Sequence, residues 1–423
     1  MKRTTLPASV FALQFALVFT AILPAAPAAG KFTVTVSHDL AAARPSETIV
    51  IPFAEVSRRL PGLLFDQVVV RDAGGAVVPS QATAFHHVHR GAPVYQELVF
   101  QHDFAAGEKS AVFTIEASPV PAPPVPARVM ARYVPERHDD FAWENDRMAH
   151  RIYGPGLELA AAGPDQMTSS GIDFWCKKVR HFVVDNWYHK GHDGLHTDTG
   201  EGLDMYDVGT YRGLGGTGVW DGSALRTSRN WSTWKILAGG PLRAVFELGY
   251  EPWDAAPAFG ITNGFMVSET KRFTVDPGLN VDRVESTFTF QPPRKSPNGE
   301  ITVAIGLSKH PSKTTASAPT QNETGAWLSL WEVFKDPADG KLGTGIVLDP
   351  SAKFAGFAET ATDLLIFAKV KSGEPLRYHI GGGWDLGGDF KTRADWENYL
   401  ASVAARLRNP VRVAFAGENA DGK

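Results

Sequence analysis

Cysteine is almost absent from the 423-residue sequence, since Cys176 is the only one. A single thiol excludes an internal disulfide, so the fold must be held together by its core. An excess of positive charge is absent too, because the formal net charge is −4. Without a basic excess, the sequence indicates neither nucleic acid nor an anionic membrane surface as a partner.

Long apolar runs are also lacking beyond the N-terminus. There, Lys2 and Arg3 precede an apolar stretch from Val10 to Leu23, and residues 25–29 are alanine and proline. Charged, apolar and small-residue segments in this order are typical of a cleaved secretory signal, and the apolar stretch is short for a membrane span. We therefore predict a signal peptide over residues 1–29, export to the periplasm, and no membrane association once the signal is removed.

Glycine, proline and aromatic residues are plentiful: the chain has 41 Gly, 29 Pro, 25 Phe and 11 Trp. This mixture favours strands and turns over helices. One helix is nevertheless predicted, because Thr392 and Asp395 form a capping box and Pro410 ends the apolar stripe that follows. The predicted fold class is mainly β, with a small N-terminal β-sandwich, a large antiparallel sheet system and a C-terminal helix.

A proline-rich segment marks the predicted domain boundary. Residues 119–127 read PVPAPPVPA, a composition that forms a stiff extended linker. We predict a small β domain over residues 30–118, the linker over 119–127, a large β-sandwich catalytic domain over 128–415 and a disordered tail over 416–423.

Two predicted strands of the large domain carry charge on both faces. In residues 268–275, Glu269 and Lys271 alternate with Arg272, and in residues 281–290 Asp282 alternates with Arg283 and Glu285. A sheet with both faces polar is either an edge solvated on both sides or a concave surface that binds a polar ligand.

Residues 170–218 combine four histidines, six aspartates, a glutamate, aromatic residues and a glycine run. Such chemistry suits a pocket for a polar ligand better than it suits a core. His189, His192 and His196 with nearby carboxylates are potential metal ligands, but the H-x2-H-x3-H spacing matches no zinc pattern. The sequence therefore allows a divalent cation without requiring one, and predicts no resident metal.

The glycine run over residues 213–218 is predicted to be a tight turn. The sequence contains no G-x-S-x-G segment, the motif that would indicate a serine hydrolase.

Several long strings in this chain resemble a family of secreted bacterial proteins, domain of unknown function 4861. They are RYVPERHDDFAWEND at 132–146, YGP at 153–155, GIDFWCK at 171–177, HTDTGEGLDMY at 196–206, SRN at 228–230, WKI at 234–236, GW at 383–384 and GDF at 388–390. The resemblance covers most of residues 30–410. Thr199 departs from the usual histidine, which puts a histidine-rich metal site further in doubt.

The resemblance implies polysaccharide breakdown, because members of the family accompany polysaccharide lyases and unsaturated-uronide hydrolases. One branch is similar to a dehydratase of ulvan oligosaccharides, which removes water from a non-reducing-end uronic acid and leaves a 4,5-unsaturated sugar. The implied partner is a uronate-containing oligosaccharide. The implied fold of the large domain is the galactose-mutarotase-like supersandwich, with its ligand on the concave sheet.

Elimination from a uronate requires a base at C5, an acid at O4 and a cation that neutralises the carboxylate. We predict His196 as the base, Tyr206 as the acid and Arg212 as the neutralising cation, with Lys177 as an alternative cation. Trp143 and Trp175 are predicted as a stacking wall. The remaining predicted substrate-binding residues are Asp140, Asp198, Glu201 and Asp204.

Three other activities stay open at this point. A lyase would cleave the glycan chain by the same elimination. A hydrolase would use a carboxylate pair, for example Asp140 with Glu201 or Asp204. A non-catalytic glycan-binding protein would keep the aromatic residues and arginines, and would tolerate the loss of His196.

Overall fold

The computed structural model describes residues 30–87, 93–255, 264–293 and 298–416. The predicted signal peptide, 1–29, lies outside these ranges, as do residues 417–423 of the predicted tail. Within the ranges, no helix is both long enough and apolar enough to cross a membrane.

The N-terminal part is built from nine short strands and one helix, α1 (Phe53–Arg59). The strands are β1 (Lys31–Ser37), β2 (Arg44–Pro52), β3 (Val68–Arg71), β4 (Val77–Val78), β5 (Ser80–Thr83), β6 (His86–His87), β7 (Pro93–Val94), β8 (Glu97–Phe104) and β9 (Ser110–Ala117). A three-stranded sheet, β2-β8-β5, faces a sheet that contains β1-β9-β3-β4. Alternate residues of both sheets, such as Val34, Ile49 and Phe100, form their shared core.

The remaining strands, apart from the last one, belong to the larger part of the molecule. They are β10 (Val129–Val134), β11 (Asp140–Asn145), β12 (Met148–Ile152), β13 (Ile172–Lys177), β14 (Gly202–Leu203), β15 (Leu214–Trp220), β16 (Leu225–Arg226), β17 (Thr233–Gly239), β18 (Ala244–Asp254), β19 (Met266–Val275), β20 (Asp282–Phe290), β21 (Glu300–Ser308), β22 (Thr314–Asn322), β23 (Trp327–Phe334), β24 (Lys341–Leu348), β25 (Lys353–Glu359), β26 (Asp363–Lys371), β27 (Pro375–Trp384) and β28 (Arg412–Phe415). Three helices accompany them: α2 (Val184–His189), α3 (Gly191–Leu195) and α4 (Arg393–Arg408).

An antiparallel sheet of eight strands, β17-β18-β19-β20-β27-β24-β23-β22, is the largest element of the fold. Its inner face packs against two five-stranded sheets, β10-β11-β12-β13-β14 and β16-β15-β21-β26-β25. The first of these is called the motif sheet below, because it carries the longest of the family-like strings. The contact is aromatic: the ring of Trp143 on β11 lies 5.1 Å from Phe246 and 4.9 Å from Phe273.

The C-terminal helix α4 confirms the predicted helix and, with these sheets, the mainly β fold class. Thr392 caps it by accepting a hydrogen bond from the backbone N–H of Asp395, and the Asp395 carboxylate accepts one from Thr392 N. Trp396 and Leu400 lie over Gly343 and Gly345 of β24. A Cβ at either glycine would come within about 2.6 Å of these side chains, so the close fit of helix on sheet depends on glycine.

The chain returns to the N-terminal part at its end. Strand β28, residues 412–415, pairs with β1 instead of with the sheets of the larger part. From the sequence, these residues are predicted to belong to the large domain. Their alternating apolar residues fit any sheet, so the pattern alone does not show which sheet the strand joins. The proposed division at the proline-rich segment stays a prediction.

The charged strands β19 and β20 have one buried face and one solvent-exposed face. Glu269 and Lys271 point inward and form a fully buried ion pair at 2.6 Å, whereas Arg272, Arg283 and Glu285 lie on the outer face. The prediction that both faces are polar is therefore wrong, because only the outer face of the eight-stranded sheet is solvated and the inner charges are core.

Candidate active site

Four charged residues form a row across the outer face of the motif sheet. Arg151 on β12 lies opposite Asp173 on β13, Asp140 begins β11, and Asp204 directly follows β14. All four are at most 6% exposed. Their strand neighbours Trp143 and Phe174 point the other way, into the core, so alternation along each strand brings these charges together. We call this group the Arg151 cluster.

Arg151 binds two carboxylates and approaches a third. Its Nε donates to Asp173 Oδ2 at 2.7 Å and its Nη2 donates to Asp204 Oδ2 at 2.8 Å. Its Nη1 lies 4.0 Å from Asp140 Oδ2, which also accepts a hydrogen bond from the Tyr188 hydroxyl at 3.2 Å. One guanidinium cannot neutralise three buried carboxylates, so at least one of them favours its protonated form.

The pKa shifts in the Arg151 cluster agree with this excess of carboxylates over cations. Burial raises the pKa of Asp140 to about 7, against the opposing effect of Arg151 and Arg137. Burial and the nearby charge of Asp173 also raise the pKa of Asp204 well above its ordinary value. Protonated carboxyl groups are therefore available near neutral pH, and raised carboxyl pKa values of this kind are a feature of acid–base sites.

His196 is the solvent-accessible neighbour of the cluster, with 39% of its side chain exposed. Its Nδ1 lies 2.5 Å from the backbone oxygen of Asp204 and 3.8 Å from Asp204 Oδ2. A carbonyl oxygen can only accept, so Nδ1 carries the hydrogen and Nε2 keeps its lone pair in the neutral ring. Burial lowers the pKa of His196, which keeps the ring neutral and ready to take a proton.

Two consecutive left-handed residues precede the cluster. His138 has a φ of 52° and Asp139 a φ of 67°, although neither is glycine. The backbone of Asp139 also passes so close to Gly154 that a Cβ there would lie 1.7 Å from the Asp139 oxygen. Strained positions of this kind concentrate at functional sites, and here the strain sets the start of β11 at Asp140.

An aromatic pair, with one exposed and one half-buried ring, leads to this loop. The Tyr133 hydroxyl donates to the Asp139 carboxylate, and the Tyr133 ring stacks on Trp234 at a centroid distance of 5.2 Å and an angle of 19°. Trp234 is 44% exposed on the edge strand β17. A flat exposed indole is suited to stacking on a sugar ring.

The predicted acid and the predicted neutralising cation lie in the interior instead. Tyr206 is 4% exposed and packs edge-on against His310, with ring centroids 4.7 Å apart. Arg212 is 3% exposed, and its guanidinium donates to Ser170 Oγ at 2.9 Å and to the backbone oxygen of Thr217 at 3.1 Å. Arg212 therefore braces strand β15, and the structure gives it no open side toward a ligand. The prediction of a tight turn over residues 213–218 is wrong, because Leu214–Trp220 pairs with β21 as a strand.

The predicted stacking wall is also core. Trp143 and Trp175 are both fully buried. Trp143 Nε1 donates to Asp282 Oδ2 at 2.8 Å, and Trp175 stacks on Trp187 at 5.5 Å beneath helix α2. A sugar cannot reach either ring, so the prediction of a stacking wall at Trp143 and Trp175 is wrong.

Lys177 is a structural residue and not a ligand-binding cation. Its Nζ donates to Glu144 Oε2 at 2.7 Å and to the Asn145 backbone oxygen at 2.8 Å. Glu144 also accepts from the backbone N–H groups of Val183 and Val184, both at 2.9 Å. The pair therefore anchors the start of α2 inside the protein.

Asp198 and Glu201 brace the loop that carries His196. Asp198 pairs with Lys178 and accepts from the backbone N–H of Gly200 at 2.8 Å. Glu201 accepts from His181 and Lys190, both at 3.0 Å, and these bonds lower its pKa to about 2. A carboxylate held so firmly in its charged form is unsuited to proton transfer. Over the described ranges, no three His, Cys, Asp or Glu side chains are grouped to hold a metal ion.

The structure thus brings together three of the predicted residues: His196, Asp140 and Asp204. Sequence reasoning missed Arg151 and Asp173. A signal for Arg151 was present, because a charged residue in the short strand MAHRI needs a buried partner.

Comparisons with known proteins agree with the family-like strings. The family model described as domain of unknown function (DUF4861) matches residues 36–413. A protein of Formosa agariphila named "Uncharacterized protein P7" is 32% identical over 295 residues, which is 67% of this chain and 69% of that protein.

Solved structures that align with this chain include two from Enterococcus faecalis. A protein in the glycosyl hydrolase family 38 aligns with 92% of this chain at 10% identity and a TM-score of 0.47. An alpha-mannosidase aligns with 93% of this chain at 11% identity and a TM-score of 0.46. This chain spans about half the length of both, 48% and 46% respectively.

Proposed function

The chain belongs to the family described as domain of unknown function 4861, and from this premise we propose that it is an enzyme that acts on acidic oligosaccharides at the Arg151 cluster. The proposed reaction is the elimination of water from a non-reducing-end uronic acid, which gives a 4,5-unsaturated uronyl product. The observation that carries the proposal is the hydrogen bond from His196 Nδ1 to the Asp204 backbone oxygen, because it leaves Nε2 with the lone pair of a base while the Nδ1 edge of the ring lies 3.8 Å from Asp204 Oδ2.

The reaction balances with the groups in the cluster. His196 Nε2 takes the C5 proton, the electrons of the C5–H bond form the C4=C5 double bond, and the C4–O4 bond breaks. The O4 group leaves as water after it receives a proton. Asp204 or Asp140 in its acid form is the source, and because both are buried the proton passes to O4 through one bridging water. A neutral base and a protonated acid in one site are the pair that such bifunctional catalysis requires at neutral pH.

The carboxylate of the sugar needs a cation, because the proton at C5 is otherwise too weakly acidic. Arg212 and Lys177 are buried and engaged elsewhere. We assign this role to Lys313, which is 46% exposed, lies 3.4 Å from Asp207 and is near enough for its charge to oppose the raised pKa of Asp204. Trp234 would support the ring of the bound sugar.

A glycoside hydrolase is the second candidate, and one observation favours it. Asp140 and Asp204 both have raised pKa values and share one guanidinium neighbour. Two carboxyl groups in one site are the minimum equipment of most glycosidases. A hydrolase would add water across a glycosidic bond, so its products have no conjugated double bond.

Ultraviolet absorbance of the unsaturated uronate tests the proposal. The wild-type protein should generate the absorbance from at least one member of a panel of uronate-ended oligosaccharides. His196→Ala should lower the rate about a hundredfold or more, the scale expected for loss of a general base.

His189→Ala is the matched control. His189 belongs to the same histidine-rich segment, but its Nδ1 bonds only to the Asp185 backbone oxygen one turn earlier in α2. Its variant should keep the wild-type rate. A folded His196→Ala protein with an unchanged rate would remove His196 from the reaction.

A further inference from the structure

A cavity with charged side chains in its walls lies on the opposite side of the sandwich from the Arg151 cluster. The motif sheet and the eight-stranded sheet meet through their inner faces, and this cavity opens on the outer face of the eight-stranded sheet. Its volume is about 470 Å³, which lies within the range of about 300–1,000 Å³ for ligand sites. We call it the interdomain cleft, because three separate parts of the chain form its walls.

The first wall is the outer face of strands β20 and β27, with Arg283, Arg377 and His379. The second is the N-terminal sandwich, with Glu47 on β2 and Glu97 on β8. The third is helix α4, with Arg406.

The charged groups in the walls differ in how well they are paired. Arg44 holds Glu47 through two bonds of 2.9 and 2.8 Å, and Arg243 holds Asp276 through two bonds of 2.8 and 2.6 Å. These rigid pairs define the shape of the cleft. Most of their hydrogen-bond donors and acceptors are already paired, so few remain to bind a ligand.

Arg283 and Arg377, in contrast, share one carboxylate. Arg283 Nη2 lies 3.0 Å from Glu285 Oε1, and Arg377 Nε lies 3.0 Å from Glu285 Oε2. Arg406 donates through Nη1 to the Pro45 backbone oxygen at 3.0 Å and is 3.9 Å from Glu47, which Arg44 already occupies. Each of these three guanidiniums therefore retains donors for a further acceptor.

Buried polar atoms without a partner converge on the same cavity. Among the residues that the structure describes, Arg283 Nε, His379 Nδ1 and Arg406 Nε are buried with no hydrogen-bond partner. All three side chains line the interdomain cleft. Buried polar atoms are costly to leave unpaired, and the two arginine Nε–H groups can only donate. Around one cavity they indicate an acceptor that the protein alone does not supply.

The remaining lining suits a sugar better than it suits a simple anion. Glu97 and Asp349 offer acceptors for hydroxyl groups, while Val50, Val281 and Leu407 provide apolar surface for the C–H faces of a ring. Guanidinium forks match carboxylate and sulfate groups, which accept two parallel hydrogen bonds. We propose that the interdomain cleft is a non-catalytic binding site for a saccharide that carries a carboxylate or a sulfate.

The proposal is independent of the catalytic assignment, because none of the cleft residues belongs to the Arg151 cluster. Binding is therefore measured in the His196→Ala protein, in which turnover should not obscure the titration. The probes for isothermal titration calorimetry are trigalacturonate, a sulfated galactan tetrasaccharide and, as a neutral comparison, maltotriose.

At least one acidic probe should bind, and maltotriose should not. Adding Arg377→Ala or Arg283→Ala should weaken binding about tenfold or more, since each change removes a charge-assisted donor. Both side chains are about 40% exposed, at 39% and 42%, so the fold should tolerate their loss. Arg283→Gln and Arg377→Gln keep more of the side chain and should weaken binding in the same direction.

Arg393→Ala is the matched control, because Arg393 lies on the same helix as Arg406, pairs with Glu397 and does not line the cleft. It should leave the affinity unchanged. The preferred acidic probe tells whether a carboxylate or a sulfate is the ligand group. Absence of binding by both acidic probes, equal binding of maltotriose, or affinity unaffected by Arg283 and Arg377 changes would overturn the proposal.

Discussion

Replacing Lys177 by methionine should destabilise the protein strongly, although Lys177 was at first predicted to bind substrate. In the structure, Lys177 and Glu144 form a fully buried ion pair at 2.7 Å. Methionine fills a similar volume but leaves the Glu144 carboxylate without its counter-charge.

The expected cost follows from that orphaned charge. Removing one partner of a buried pair costs about 3–5 kcal/mol. Glu144 keeps its hydrogen bonds from the backbone of Val183 and Val184, which places the expected loss near the lower end, at about 3 kcal/mol. Urea unfolding followed by tryptophan fluorescence measures this loss as a shift of the midpoint.

Two further variants test whether the unpaired Glu144 carboxylate causes this loss of stability. Lys177→Met with Glu144→Gln removes the orphaned charge, so part of the lost stability should return. Lys178→Met changes the next residue, whose Nζ pairs with Asp198 at the surface and is 31% exposed, and should cost about 1 kcal/mol or less. A Lys177→Met protein within about 1 kcal/mol of wild type would refute the structural role assigned to this lysine.

Three other outcomes are expected. Because burial holds the pKa of His196 below its ordinary value of 6.5, its neutral form persists at neutral pH, and the loss of kcat/KM on acidification should begin below that value; an acid limb above pH 6.5 would contradict this. Trp234→Ala should raise KM several-fold with the unfolding midpoint unchanged, and an unaltered KM would exclude the stacking role. Trp175→Ala should cost about 3–5 kcal/mol in the same unfolding assay, and a small loss would contradict its placement in the core.

The parts of the fold that local sequence determines were predicted correctly. The capping box at Thr392 specified where α4 begins, and strand-rich segments specified a mainly β chain. The return of β28 to β1 was not predicted, because pairing between the two ends of the chain leaves no local trace.

The candidate site was predicted only where a residue's role follows from its own chemistry. His196 is titratable and lies in a polar loop, and the structure places it beside Asp204. Arg212 has the right chemistry too, but its guanidinium is taken up by Ser170 and the Thr217 backbone. Which charged side chains turn inward depends on contacts between distant segments, and these are not visible in a single sequence.

The most direct test of the central claim is the mass of the product made from a uronate-ended oligosaccharide. The account predicts a product that is lighter than its substrate by one water, has the same number of sugar units and appears at a rate that depends on His196. Two shorter fragments would identify a lyase or a hydrolase instead, with or without the conjugated double bond. Either result would contradict the proposed elimination of water at the chain end.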